Sequence, residues 1–181
     1  MIDVGLFQFA CTCNVGASWF CRALQMAGLG VHFRQHVYGP FPDNTVSKLR
    51  VTMVRHPCSW LSLTYAMLHN NEAECNHLGP FASSPLGSLD EFVVHYLRHH
   101  GGAVGEVYGH YRAGCCQRTE DQPWALEELL RSLGVKRAFT DRVLTMNITG
   151  LREPAIGWDR STWHRKVIEA ERELCEQYEY W

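Results

Sequence analysis

The stretch Val4–Leu29, VGLFQFACTCNVGASWFCRALQMAGL, changes its hydrophobic period from strand to helix across a short turn of small residues, which restricts the fold more than any other feature. Val4–Ala10 is a nearly unbroken apolar run, the pattern of a strand covered on both faces of a parallel sheet. Cys13 to Ser18 supplies the turn. From Trp19 the apolar positions Trp19, Phe20, Leu24, Met26 and Ala27 recur at helical spacing, and Gly28 and Gly30 end the helix. The first N–H groups of such a helix lack intrahelical acceptors and carry the positive end of its dipole, so an anion can dock there. Gly16 would let a phosphate approach the backbone, and the Ser18 hydroxyl either caps the helix or donates to a bound oxygen. The competing reading is a junction that binds nothing. It is not a Walker motif, which requires Gly-x-x-x-x-Gly-Lys.

At 181 residues the chain suits one domain, 1–181, with a substantial core. A net charge of −2 gives no basis for a nucleic-acid surface, although ten histidines make the charge sensitive to mild acid. Eight cysteines raise the question of disulfides. Asp3 and the missing basic n-region argue against a signal peptide, so buried thiols in a cytoplasmic chain are expected. Cys11-x-Cys13, Cys115-Cys116 and Cys75-x-His77 are the places where a metal would collect, but no Cys-x-x-Cys pair exists and no metal is expected. No apolar run reaches the roughly 20 residues needed to span a membrane.

Further along, Gly30–His36 reads as a second strand ending in Arg34, Gln35 and His36, and Tyr38–Asn44 as a turn-rich loop. Leu49–Val54 is a third strand with Arg55 at its carboxyl end, and Pro57 opens a helix reaching about Asn70. Asn70–Gly87 has no periodicity and reads as an irregular excursion. Ser88-Leu-Asp-Glu91 is a capping box for a helix through Phe92, Val93, Tyr96 and Leu97 to Gly101-Gly102. A short helix is expected from Ala103 to Tyr111, and a short strand at Cys115–Thr119. A helix opened by Pro123 would place Trp124, Leu126, Leu129 and Leu130 on its apolar side, and one final helix would run from after Asp159 towards Tyr178. Alternating strands and helices with right-handed crossovers give an α/β fold with a parallel sheet and ligands at the strands' carboxyl ends.

Three segments together resemble the sulfotransferases that use 3′-phosphoadenosine 5′-phosphosulfate (PAPS). Cys13-Asn14-Val15-Gly16-Ala17-Ser18-Trp19 stands where that family has Pro-Lys-Ser-Gly-Thr-Thr-Trp around the 5′-phosphosulfate; Gly16 and Trp19 match, and Ser18 is a conservative change. Leu49–Tyr65, LRVTMVRHPCSWLSLTY, is similar to the family's strand ending in Arg-x-Pro and the following helix, whose serine binds the 3′-phosphate. Arg34-Gln35-His36 resembles the Lys-Thr-His that supplies the base. Cys116–Asp121 is similar to the strand ending in Tyr-Glu-Asp, and Met146-Asn147-Ile148 to Val-Asn-Val. The resemblance implies a three-layer sandwich with a short central parallel sheet, the P-loop NTPase-like sulfotransferase fold. It implies PAPS as donor and a hydroxyl or amine as acceptor.

On that resemblance Val15, Gly16, Ala17, Ser18 and Trp19 hold the phosphosulfate end, Arg55 and Ser62 the 3′-phosphate, and His36 is the base. Asn14 departs from the pattern, because the family's lysine there stabilises charge on the leaving phosphate, whereas an amide donates hydrogen bonds without charge. Either Arg34 or Arg22 replaces it, or the protein binds nucleotide and transfers poorly. Several roles have bland alternatives. Trp19 stacks on adenine or anchors its helix in the core; Ser62 competes with Thr64, on the other side of the helix; Glu120 and Asp121 cap the next helix. Three functions therefore stand: a PAPS-dependent sulfotransferase, a catalytically weak nucleotide-binding module, and, least favoured, a Cys/His zinc domain.

Overall fold

The structure is a computed structural model that describes residues 2–30, 41, 48–70, 81, 84, 87–148 and 160–180. The chain packs as two compact units, Met1–Val54 with His110–Arg152, and Arg55–Gly109 with Glu153–Trp181. The expected strand at Gly30–His36 beyond Gly30, the Tyr38–Asn44 loop apart from Phe41, and the greater part of Asn70–Gly87 lie outside the described residues.

The first unit is α/β. Its sheet has the order β1 (Ile2–Asp3), β2 (Phe7–Phe9), β3 (Leu49–Val54), β4 (Cys115–Arg118). β2, β3 and β4 are parallel, with Phe9 beside Val51 and Val51 beside Cys115. β1 runs antiparallel to β2, so the sheet is mixed rather than wholly parallel. The expected continuous strand from Val4 is broken for a local reason. Gly5 sits at φ 84° and donates its amide to Asp3 Oδ1 at 2.8 Å, while the Val4 amide donates to the Phe7 carbonyl, which turns the chain back on itself.

Helices α1 (Ala17–Met26), α5 (Trp124–Ser132) and α6 (Arg137–Leu144) complete this unit, α6 packing against both α1 and α5. Phe20 of α1 stacks on Phe9 at 4.3 Å between ring centroids and meets Phe7 edge-on at 6.5 Å, which seats α1 on the first parallel strand. Leu126, Leu129 and Leu130 are buried as expected, but Trp124 is 64% exposed, because the first residue of α5 faces away from the leucine stripe. The sequence gives little warning of α6, whose fully covered positions are only Thr140 and Val143.

Among its described residues the second unit is all helix: α2 (Pro57–His69), α3 (Leu89–His99), α4 (Ala103–Gly109), α7 (Arg160–Ala170) and α8 (Arg172–Gln177). The Ser88–Glu91 capping box forms in both directions, at 3.0 and 3.2 Å. Phe81 packs between Trp60 and Tyr96, 5.2 and 5.9 Å from their rings. The single final helix expected from the sequence is two helices, broken at Glu171 (φ −107°, ψ 31°). That residue is 2% exposed, and its carboxylate accepts from the Val104 and Gly105 amides at 3.0 and 2.8 Å and from the Tyr96 hydroxyl. It satisfies the open amides where α4 begins. No described helix is long and apolar enough to cross a membrane.

Burial raises the Glu171 pKa above its ordinary 4.5, against the lowering effect of its hydrogen bonds, and pushes the Tyr96 hydroxyl up as well. A raised folded-state pKa means that the folded state holds the proton more tightly. The resulting stability is full below 4.5 and falls as pH rises through the folded value. Urea denaturation at a series of pH values should show this decline in the parent and its loss in Glu171→Gln. Glu171→Ala should cost about 3 kcal/mol or more, since three buried donors lose their acceptor at roughly 1–3 kcal/mol each.

Candidate functional site

The loop between β2 and α1 is shaped by two left-handed residues, Asn14 at φ 63° and Gly16 at φ 87°. Asparagine tolerates that region better than most side chains, and glycine enters it freely. Gly16 is the N-cap of α1 and makes no side-chain cap bond; the first intrahelical bond runs from the Phe20 amide to the Gly16 carbonyl at 3.0 Å. The amides of Ala17, Ser18 and Trp19 therefore precede the helical ladder, at the positive end of a ten-residue helix with no acidic residue in its first turn. Such a loop can attract an anion through dipoles alone.

One hydroxyl positions this loop. Thr119, at the carboxyl end of β4, is 2% exposed, and its Oγ1 lies 2.7 Å from the Val15 carbonyl and 2.8 Å from the Val54 carbonyl. A donor shared between the loop and the end of β3 fixes the loop's height over the sheet edge. Sequence reasoning placed Thr119 in a strand and assigned it no role. The resemblance of Cys116–Asp121 to a strand-end motif marked the segment but not the hydroxyl.

The expected site residues fall out as follows. Val15 and Ala17 are buried, Asn14, Gly16 and Trp19 are half-buried, and Ser18 is exposed in the first turn, so Ser18 does not cap α1. The Trp19 indole N–H donates to the Asn147 carbonyl at 3.2 Å, which brings the loop and the Met146–Ile148 segment together within the first unit. Arg22, one of the two proposed substitutes for the missing lysine, is exposed on α1; Arg34, the other, and His36 lie outside the described residues. Neither Glu120 nor Asp121 caps α5, which has no side-chain cap; Asp121 pairs with Arg118 at 3.3 Å instead.

In the second unit Arg55 is 2% exposed, and Tyr108 clamps its backbone, the hydroxyl 3.2 Å from the Arg55 amide and 3.0 Å from its carbonyl. Ser62 is buried and donates to the Cys58 carbonyl at 3.0 Å, a back-bond within α2, while Thr64 is fully buried. The Ser62 hydroxyl would have to leave that carbonyl to donate to a phosphate.

The seven described cysteines are free thiols, and Cys115 and Cys116 alone among them are half-buried. Burial pushes the Cys11 thiol up and the Cys21 thiol to about 12, so both behave as core residues. A different set of donors does converge: His56, Cys58 and His164, each with one ligand atom within 4.8 Å of the others.

Comparisons with protein-family models, with curated proteins and with solved structures gave no match. The geometry of the loop and the resemblance of its residues therefore carry the functional reading between them.

If Thr119 holds the loop, Thr119→Val should destabilise the protein by about 1–3 kcal/mol, because the one hydrogen shared by the two carbonyls is lost with little change in volume. Hydrogen exchange at the Gly16 and Ala17 amides should quicken in the same variant, whereas Thr119→Ser should remain close to the parent.

Proposed function

We propose that this protein is a sulfotransferase that takes PAPS as donor and moves its sulfuryl group to a hydroxyl or amine. The observation that carries the proposal is the Asn14–Trp19 loop. It joins a parallel strand to a helix N-terminus, has its backbone reversed by two left-handed residues, and lacks acidic groups. Phosphosulfate is a dianion of the size and charge that such amides suit. In the reaction the acceptor oxygen or nitrogen attacks sulfur, the bond from sulfur to the phosphate oxygen breaks, and 3′-phosphoadenosine 5′-phosphate (PAP) leaves. The family resemblance gives the acceptor's proton to His36, the 3′-phosphate to Arg55 and Ser62, and charge stabilisation to Arg34.

One observation favours a second reading, a module that binds the nucleotide and transfers slowly. The loop's own side chains, from Asn14 to Trp19, bring no cation to the leaving phosphate. Labelled sulfuryl transfer from PAPS to a panel of phenols, sugars and amines separates the two: turnover abolished in His36→Ala supports the enzyme, and binding without turnover supports the module.

Ser18 gives a test of the loop that leaves the core untouched, because its side chain is exposed. Ser18→Ala should weaken PAP binding by at least about tenfold in calorimetry, as expected for losing a hydrogen bond to a charged group worth roughly 1.5–3 kcal/mol. Ser18→Asp should abolish binding yet stabilise the fold by about 0.3–1 kcal/mol, since a carboxylate in the first turn complements the helix dipole. Equal affinity in all three proteins would remove the loop from the proposal.

A further inference from the structure

His56, Cys58 and His164 belong to the second unit and come together where α2 begins and α7 packs against it. His56 is the N-cap of α2 and its Nδ1 accepts the Cys58 amide at 3.2 Å, which brings the imidazole back over the helix end. Cys58 is buried in the first turn of the 13-residue helix α2, two residues beyond His56. α7 supplies His164, whose ring lies over His56 at 5.2 Å and 17°, and whose carbonyl is 4.0 Å from the Cys58 sulfur. Tyr180, itself buried, meets His56 edge-on at 5.2 Å.

We propose that these three side chains bind one divalent ion of the zinc class. One thiolate with two imidazoles is a soft, nitrogen-rich set that selects zinc or cobalt over magnesium and calcium, and three protein donors leave a fourth tetrahedral position for water. Around zinc, bond lengths of about 2.0–2.3 Å put donor atoms roughly 3.3–3.6 Å apart, so the present set needs to contract by about an ångström, which side-chain rotation supplies. His56 Nδ1 now accepts the Cys58 amide, so a metal at Nδ1 would displace that amide, and a metal at Nε2 would move the ring proton to Nδ1 or leave it with the solvent. None of the three was marked by thiol spacing, because His-x-Cys is joined by a histidine more than 100 residues away.

The test is titration of the full metal-stripped chain with cobalt chloride, followed by zinc chloride. The expected result is a thiolate-to-cobalt charge-transfer band that saturates at one ion per chain and is bleached by zinc. Cys58→Ser should lose the band while keeping its far-ultraviolet circular dichroism, and His164→Gln should weaken cobalt affinity by at least about tenfold, as even a changed ligand partner commonly does. X-ray absorption at the zinc edge of the unaltered protein gives a reading independent of variants: one sulfur and at least two imidazole nitrogens are expected. No charge-transfer band, a band that persists in Cys58→Ser, or a zinc shell with two or more sulfurs would overturn the assignment.

Discussion

The first unit depends on how one buried hydroxyl joins the loop after β2 to the carboxyl end of β3. Thr119 Oγ1 sits between the Val15 and Val54 carbonyls and shares its one hydrogen between them. With the loop held at that height, the left-handed turns at Asn14 and Gly16 lead into the first amides of α1, which precede its helical ladder. Phe20 against Phe7 and Phe9 seats the helix below, so the amide cluster is fixed from both sides. Preorganisation of this kind is what gives backbone dipoles their value towards an anion, since no reorganisation is required when charge arrives.

The second unit solves the same problem of unpaired backbone with a charge. Glu171 interrupts what would otherwise be one C-terminal helix, and its carboxylate occupies the start of α4 while Tyr96 donates from α3. A buried carboxylate is costly unless its oxygens are filled, and here both are. Four helices thereby meet at a single titratable side chain.

The sequence exposed the strong periodic and capping signals: the helix read from Trp19, which begins two residues earlier at Ala17, β3 with Pro57 after it, the Ser88 capping box and the short strand at Cys115. It hid features set by one residue acting at a distance. Gly5 turned a run that looks like a single strand into a hairpin, and Glu171 split a helix whose amphipathic pattern continues across it. α6 buries too few apolar residues to leave a pattern. At the candidate loop, the turn before α1 was readable from its small residues, Gly16 among them, whereas the cap expected of Ser18 does not form. Thr119 and His164 were not readable, since each acts through a contact between segments far apart in sequence.

Under the proposed function, the amides of the β2–α1 loop would hold the phosphosulfate end of the nucleotide. Amide-resolved NMR of the full chain during titration with PAP tests it most directly. The account predicts saturable shifts at Gly16, Ala17, Ser18 and Trp19, together with slower hydrogen exchange at those amides. Saturable binding that leaves all four resonances and their exchange rates unchanged would contradict it.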